Sequence, residues 1–395
     1  MKRRAFIAAS VATLAVPRLA WPSAGSGYRR LLLLVELKGG NDGLNTVVPY
    51  ADPRYYDLRP RLAVRRDEVL QLDGHAGLHP ALKPLLRLWQ DGQLAIVQGL
   101  GYPAPNLSHF RSIEIWDTAS RSDQYLGDGW LARAFAARPV PKGFAADGAS
   151  VGSADLGPLA GTGARAIVLN DPESFLRQAR WEGTQGPSPV LANPVGAKRN
   201  AALAHILKVE ADIVQAASHL GGNTSFRTEF PRGPFGNAVR TAAQLAANEA
   251  GVAAIRLSLG GFDTHQNQPG LHQRLLGELA EGVAALQGAL LEIGRWDSTL
   301  LMTYAEFGRR PQENQSMGTD HGTASAHFVA GGRVRGGLYG EAPRLAGLEG
   351  GNLHHSVDFR SLYATVLERW WELDATRTLG GRFAPLELLT QQSEI

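Results

Sequence analysis

The chain has a nearly continuous apolar run of seven positions, LLLLVEL from Leu31 to Leu37, interrupted only by Glu36 and flanked by Arg30 and Lys38. A run of this kind is typical of a strand that is buried on both faces, as in the centre of a parallel sheet. Gly39 and Gly40 stop the run and predict a sharp turn directly after the strand. We therefore expect a sheet whose middle is covered on both sides.

Apolar runs and helical patterns alternate along much of the rest of the chain. The segment HPALKPLLRLWQDGQ has helical spacing and precedes the strand-like run LAIVQG, an order that is typical of a parallel sheet. Later strands are predicted at VAAIRLSL, TLLMTYAEFG and AHFVAGG, and helices at 199–219, 236–250, LHQRLLGELAEGVAALQGALLEIG and VDFRSLYATVLERWW. Residues 120–200 lack strong periodicity and predict loops and short elements. The sequence as a whole predicts the α/β class with a mostly parallel sheet.

Composition narrows the range of functions. The 395 residues are 44% hydrophobic and carry a formal net charge of +3. Four basic residues and no acidic ones fall in the first 24 positions, which leaves a net charge of −1 for the remainder. A nearly neutral body argues against nucleic-acid binding by bulk charge. The absence of cysteine excludes disulfides and thiolate metal ligands.

The N-terminus predicts an export signal over residues 1–27. Arg3 and Arg4 precede a short apolar run, Ala5 to Val16, which is too short to span a bilayer and resembles a twin-arginine signal. The expected partner is the twin-arginine export machinery, and the expected location is the periplasm or the exterior. That route carries folded proteins, often with a cofactor or metal already loaded. The alternative is a cytosolic protein with a frayed basic tail. Residues 28–395 are expected to form a single domain.

Polar groups recur just after the predicted strands. Asp42, Ser108, the pair Asp263 and His265, and Glu306 all occupy such positions. In open α/β sheets, ligands bind beyond the carboxyl ends of the strands. We expect Asp42, Ser108, Asp263, His265 and the later His321 to converge at one end of the sheet.

Three of these residues suggest a metal site. Asp42 lies in a Gly-Gly-Asn-Asp-Gly turn, where a carboxylate suits a hard or borderline cation. Its alternative role is to cap the segment that follows. Asp263 and His265 are two positions apart, so an extended chain presents both to one ion, and this ligand pair suits Zn, Mn or Fe. The alternative is a solvated loop pair.

Ser108 and Arg111 suggest chemistry on an anion. The Ser108 hydroxyl is a candidate nucleophile if a base or metal activates it, and Arg111 could hold an anion bidentately. Alternatively, Ser108 caps the helix that begins at FRSIEIW.

The remaining histidines are given ordinary roles. His205, His219 and His272 have helical patterns and are predicted to be solvated or capping, and His75 and His79 flank a helix start. His327 alternates with apolar residues and is predicted to be structural, and only one of His354 and His355 could reach a site.

Five motifs together resemble the DUF1501 family, within the broader alkaline-phosphatase-like superfamily: GGNDGLN, PNLSHFRS, GFDTHQNQ, EFGRR and GTDHGTA. The resemblance implies a three-layer α/β sandwich with helices on both faces and a two-metal site that cleaves phosphate or sulfate esters. By position, Asp42 matches the metal Asp of the first strand, Ser108 the nucleophile, and Asp263 with His265 the ligands of one ion. The superfamily usually separates that last pair by three residues, whereas this chain separates it by one.

The motif GTDHGTA admits two alignments with the superfamily. In one, Asp320 and His321 are the Asp-His ligand pair, but they lie well past the end of the strand LLMTY. In the other, which we prefer, Glu306 takes the place of the metal Asp and His321 is the later histidine. Phe307 then stands where a metal His is expected, so the second metal site is altered or lost. His321 is a ligand in both alignments.

The expected function is an exported metal-dependent hydrolase of phosphate or sulfate esters with a divalent ion such as Zn, Mn, Ca or Mg. The substrate would be a small molecule or an ester carried on a polymer. A formylglycine sulfatase is disfavoured, because cysteine is absent and the Ser108 segment lacks the expected small-residue and proline pattern. No nucleic-acid partner and no stable membrane span are expected. The alternative is a non-catalytic binding or assembly protein with a vestigial site.

Overall fold

A computed structural model describes residues 27–169, 224–248 and 250–390. The predicted signal peptide, apart from Gly27, and the predicted helix at 199–219, with His205 and His219, lie outside the described residues. In the described part of the chain, no helix is both long and apolar enough to cross a membrane.

The strands, in chain order, are β1 Leu31–Lys38, β2 Val47–Val48, β3 Leu70–Gln71, β4 Gly77–Leu78, β5 Leu94–Gly101, β6 Gly148–Val151, β7 Ala166–Leu169, β8 Ala254–Gly260, β9 Thr299–Tyr304, β10 Gly308–Glu313, β11 Thr319–Gly322, β12 Ser325–Ala330, β13 Gly337–Tyr339 and β14 Val357–Asp358. The helices are α1 Gly43–Thr46, α2 Pro53–Leu58, α3 Leu86–Gln90, α4 His109–Thr118, α5 Trp130–Ala137, α6 Pro234–Ala247, α7 Gln268–Glu292, α8 Phe359–Ala364 and α9 Ala375–Leu379. A π-helical segment, Thr365–Trp370, continues α8.

Nine strands form one large sheet in the order β13-β5-β12-β9-β1-β8-β6-β7, and β14 pairs with β5. Strand β12 runs antiparallel to both of its neighbours, whereas the other pairings of this sheet are parallel. The predicted strand TLLMTYAEFG ends as β9 at Tyr304, and its last residue opens a separate hairpin of β10 and β11. The prediction of a mixed α/β fold with a mostly parallel sheet is confirmed.

Strand β1 lies in the middle of the sheet and contributes side chains to the two hydrophobic cores, one on each face of the sheet. Its odd-numbered side chains, such as Leu33 and Leu37, belong to a cluster with apolar residues of α6 and α7. Its even-numbered side chains, such as Leu34, belong to a second cluster with residues of α4, α5 and α8. Alternation along a strand sends successive side chains to opposite faces, so a fully apolar run is buried on both.

Residues 120–169, the described part of the region predicted as loops and short elements, contribute more to the sheet than their pattern predicts. Strands β6 and β7 each have only four residues, and both pair in parallel beyond β8. Strands this short carry too few residues for a periodic signal, and neighbouring strands supply the burial that holds them.

Candidate metal centre

The loops that follow three neighbouring parallel strands lie at the same edge of the sheet. Strand β1 is followed by Gly39, β8 by the loop of Asp263, and β9 by Glu306. Helix α4, which begins at His109, follows β5 at the same edge. Because these strands point the same way, residues far apart in the chain meet here.

The Gly39-Gly40 turn holds Glu306 and Arg309 in place at this edge of the sheet. Both glycines have left-handed φ values, 113° and 79°. Their N–H groups donate to the Glu306 carboxylate at 2.9–3.2 Å, and their carbonyls accept from the Arg309 guanidinium. A Cβ on Gly40 would lie 2.5 Å from the Phe307 ring, and one on Gly39 would lie 2.4 Å from the Asp263 nitrogen. The turn requires glycine because of both its backbone conformation and this close packing.

Glu306 sets the orientation of His109. The carboxylate is buried, and its Oε1 lies 2.8 Å from His109 Nδ1. Since a carboxylate accepts, Nδ1 donates to Glu306 and the ring orientation is fixed by that contact. The Nε2 of His109 lies 3.3 Å from Asp263 Oδ2. The imidazole therefore turns a ligand-type nitrogen toward Asp263.

His321 and His265 approach Asp263 from the other side. His321 Nδ1 donates to the Leu107 carbonyl at 2.8 Å, and its Nε2 lies 3.1 Å from Asp263 Oδ1. His265 Nε2 lies 3.1 Å from the same oxygen, and its Nδ1 lies 3.5 Å from Asp320 Oδ1. The two Nε2 atoms are 3.0 Å apart. Two imidazole nitrogens that face each other at this distance need a proton or a cation between them.

The donor atoms suit a metal ion. One ligand atom each from His109, Asp263 and His321 lie within 4.8 Å of one another, and His265 adjoins them. Each of the three imidazoles has an oxygen partner at its other nitrogen, as metal-binding histidines usually do. Two imidazoles and one carboxylate within this distance suit zinc and related divalent ions, and the imidazole of His265 adjoins them.

Arg309 determines the electrostatics of this cluster. Its buried guanidinium donates to Asp263 Oδ1 at 2.6 Å and also to the carbonyls of Gly39, Gly40, Phe262 and Thr319. Burial alone would raise the pKa of Asp263, but the hydrogen bond and the positive charge of Arg309 outweigh it and bring the pKa to about 2. Burial lowers the pKa of His321. Both groups therefore present lone pairs at neutral pH.

A family model described as "Protein of unknown function (DUF1501)" matches residues 95–381, which is well over half of the chain. The chain belongs to the DUF1501 family. The matched segment of this DUF1501 protein contains all four histidine and aspartate donors, while the Gly39-Gly40 turn precedes it. No curated protein matches the sequence.

Comparison with solved structures gives distant similarities. The crystal structure of Ps i-CgsB has a TM-score of 0.42 and 11% identity, with 88% of this chain and 74% of that chain covered. Its complex with k-i-k-neocarrahexaose has a TM-score of 0.41, the same identity and the same coverage. The lipoteichoic acid synthase LtaP from Listeria monocytogenes has a TM-score of 0.31 and 9% identity, with 79% and 66% covered. Similarity at this level supports no statement about the chemistry of the DUF1501 protein.

The structure places Asp42 in the core rather than in the donor cluster. Its Oδ1 accepts from the backbone nitrogens of Leu44 and Asn45, and so caps α1. Its Oδ2 accepts from Arg59 at 2.6 Å and from Gln268 at 2.5 Å. Both oxygens are occupied by protein donors, which is the capping role that was the alternative to metal ligation.

Ser108 is exposed at the N-cap of α4, directly before His109. Its backbone nitrogen donates to Asn106 Oδ1 at 2.9 Å. Among the residues that the structure describes, none forms a hydrogen bond with its hydroxyl. The predicted nucleophile therefore lies next to a donor of the cluster, but no base in the described part of the chain forms a hydrogen bond with it.

Arg111 has partners outside the cluster. Its guanidinium donates to the carbonyls of residues 121, 122 and 124, pairs with Glu114 at 2.9 Å, and lies 3.9 Å from the centre of the Tyr125 ring. The side chain fastens the 121–125 loop to α4. These contacts give Arg111 a structural role in place of the predicted anion binding.

The two alignments of GTDHGTA are both reflected in the contacts. Glu306 lies beside Nδ1 of His109, and Asp320 lies beside Nδ1 of His265. Each carboxylate therefore faces the histidine nitrogen that points away from Asp263. Phe307 packs against the rings of His109 and His321 at centroid distances of 4.9 and 4.2 Å. An aromatic ring thus lines the cluster where the superfamily resemblance implies a ligand histidine.

Two important residues were missed in the sequence. His109 stands in the motif PNLSHFRS and Arg309 in EFGRR, and neither is among the predicted site residues. The available signal for His109 was its position at a helix start directly beyond a strand-end loop. A prediction for His272 also needs correction, because this side chain is fully buried on α7 and lies 2.9 Å from Asn41 Oδ1 instead of being solvated.

Proposed function

We propose that this protein is a metal-dependent hydrolase in which His109, Asp263, His265 and His321 hold one divalent ion. The observation that carries the proposal is the convergence of three imidazole nitrogens on Asp263, each with its other nitrogen facing an oxygen. A site prepared in this way favours Zn or a similar ion over Ca or Mg, which prefer all-oxygen ligands.

A bound ion would supply a Lewis acid at the open face of the cluster. His109 is the first residue of α4, so the free N–H groups of the first turn can stabilise negative charge that develops nearby. Ser108, exposed beside them, is the candidate nucleophile, and water is the alternative. This combination suits esters with an anionic group, which supports phosphate or sulfate ester hydrolysis within an alkaline-phosphatase-like, three-layer fold.

The site is open rather than enclosed. The side chains of Asp263 and His265 are 46% and 43% exposed. Pockets for small molecules usually bury most of the ligand. An open face therefore favours an ester group carried on a polymer over a free small molecule.

The rival function is that of a non-catalytic binding protein. It is favoured by three observations. No base in the described part of the chain forms a hydrogen bond with the Ser108 hydroxyl, the Arg111 guanidinium binds the 121–125 loop, and the Phe307 ring packs against His109 and His321. A metal held only for structure would need no nucleophile.

Metal content and turnover separate the two functions. Purified protein should contain about one divalent ion per chain and should hydrolyse an aryl phosphate or an aryl sulfate. Ser108→Ala should abolish turnover if the hydroxyl is the nucleophile and reduce it only modestly if water is. Less than about 0.2 ion per chain, together with no turnover of either ester, contradicts the proposal. One ion per chain without turnover favours the rival.

We also propose export by the twin-arginine route, with residues 1–27 as the signal and 28–395 as one domain, which places the protein in the periplasm or outside the cell. The support is the pair Arg3-Arg4 before a short apolar run. Replacing both arginines by lysine keeps the charge and should leave the protein in the cytoplasm. Unchanged export would contradict this route.

A further inference from the structure

Gln268, the first residue of α7, is fully buried and bonded through both ends of its amide. Its Nε2 donates to Asp42 Oδ2 at 2.5 Å. Its Oε1 accepts from the Thr264 hydroxyl at 3.0 Å and the Thr319 hydroxyl at 2.7 Å. Because the Asp42 carboxylate can only accept, the amide has a single orientation, with its oxygen toward the two threonines.

The two threonines belong to the segments that carry the donor cluster. Thr264 lies between Asp263 and His265, and it is buried while its two neighbours face outward. Thr319 is the first residue of β11, directly before Asp320 and His321. The Thr319 backbone nitrogen also donates to the Thr264 carbonyl at 3.1 Å. The buried amide oxygen of Gln268 thus links the Asp263-His265 loop to strand β11.

The other end of this chain of contacts is an ion pair. Arg59 donates to Asp42 Oδ2 at 2.6 Å, and both side chains are completely buried. Arg59 also donates to the carbonyls of Pro311 and Arg310 on β10, which pairs with β11. The contacts therefore run from β10 through Arg59, Asp42 and Gln268 back to β11 and to the Asp263 loop.

We propose that Gln268 and Asp42 are positioning residues of the metal centre, which hold the Asp263-His265 loop and the Asp320-His321 strand in register without touching the ion. The inference rests on the proposed metal site and gives Asp42 a role in it other than ligation. A buried hydrogen bond that served only stability would affect unfolding but not metal affinity, so the two roles can be separated.

The first test compares two Gln→Met variants by zinc titration and thermal unfolding. Gln268→Met keeps the approximate volume and removes every side-chain hydrogen bond. Gln93→Met is the matched control, because Gln93 accepts from Trp296 at 2.9 Å but precedes β5 at the opposite end of that strand. Gln268→Met should weaken zinc binding roughly 10–100-fold, whereas Gln93→Met should lower the melting temperature alone. Wild-type zinc affinity in Gln268→Met would overturn the inference.

The second test asks whether the effect passes through the threonines. Thr264→Val and Thr319→Val each remove one hydroxyl at nearly constant shape. If Gln268 acts through them, adding both changes to Gln268→Met should weaken zinc binding no further than Gln268→Met alone. Fully additive losses would show that the amide acts independently and would overturn the inference.

A third measurement separates this inference from the proposed function. Imidazole ¹⁵N spectra of the metal-free protein report the tautomers of His265 and His321. If the wild type binds no zinc, the proposed function fails, yet the positioning role still predicts that Gln268→Met changes these spectra and Gln93→Met does not. Identical spectra in Gln268→Met and the wild type would overturn the positioning role whether or not zinc binds.

Discussion

His109 Nδ1 donates a hydrogen bond to Glu306 Oε1 at 2.8 Å, although the two residues stand 197 positions apart in the chain. The carboxylate also receives the N–H groups of Gly39 and Gly40, so its own position is fixed. Through this contact, a buried glutamate decides which nitrogen of His109 faces Asp263. An outer carboxylate of this kind commonly orients a metal-binding histidine.

Glu306→Gln should weaken zinc binding by roughly 10–100-fold, because the amide cannot accept from His109 and from both glycines as the carboxylate does. Zinc titration measures the loss. Glu292→Gln is a matched control, since Glu292 also accepts two backbone N–H groups, from Arg227 and Thr228, but at the end of α7. A loss of equal size in both variants would contradict a specific role for Glu306.

Gly40→Ala should destabilise the protein and weaken zinc binding. A left-handed alanine costs about 1–2 kcal/mol, and its Cβ would overlap the Phe307 ring. Gly92→Ala is the control for strain alone, because Gly92 has a φ of 67° and a Cβ added there would meet no atom within 4 Å. Denaturant unfolding should show a larger loss for Gly40→Ala, and only this variant should lose zinc affinity. Adding Phe307→Ala should restore part of the stability if the overlap is the cause.

His321→Ala should remove metal binding and any esterase activity, since no other side chain in its segment can replace the imidazole. His327→Ala should leave metal content unchanged and cost a kcal/mol or two of stability, because His327 is buried in β12 beside Trp116. Metal analysis and denaturant unfolding of both variants test this pair. Retained metal in His321→Ala with loss in His327→Ala would reverse the assignment.

Asp320→Asn distinguishes a ligand from an outer partner. Asp320 Oδ1 lies 3.5 Å from His265 Nδ1 on the side away from Asp263. The expected loss of zinc affinity is roughly 10–100-fold, as for an outer carboxylate, and smaller than that of Asp263→Asn. Equal losses in zinc titration would make Asp320 a direct ligand, as in the first alignment of its motif.

Stability should decrease as the pH falls, because His327 is buried without charge. Burial lowers the pKa of His327 to about 3, below the value of about 6.5 for an unfolded chain. Between about pH 3 and pH 6.5, therefore, His327 is protonated in the unfolded state but not in the folded state. The contribution is complete above pH 6.5 and declines by up to about 1.4 kcal/mol per pH unit as the pH falls toward 3. Urea unfolding at pH 7.5 and 5 should show a smaller difference for His327→Leu than for the wild type.

Local pattern was sufficient for several parts of the fold. The run Leu31–Leu37 predicted a central strand, and the Gly39-Gly40 pair predicted the turn that follows it. Helical spacing predicted α7, and the positions of Asp263 and His265 after a strand placed them among the residues expected to converge at one end of the sheet. These features depend on neighbours in the chain, because periodicity and glycine conformations act within a few residues.

The partners of charged and imidazole groups were decided only by tertiary structure. Nothing near Asp42 in the sequence distinguishes a carboxylate that binds a metal from one that pairs with Arg59 in the core. Glu306 orients the ring of His109 toward the cluster, and Arg309 on β10 donates to the Asp263 carboxylate and lowers its pKa. A side chain's chemistry depends on the charges and donors within a few ångströms, and packing brings these groups from distant parts of the chain.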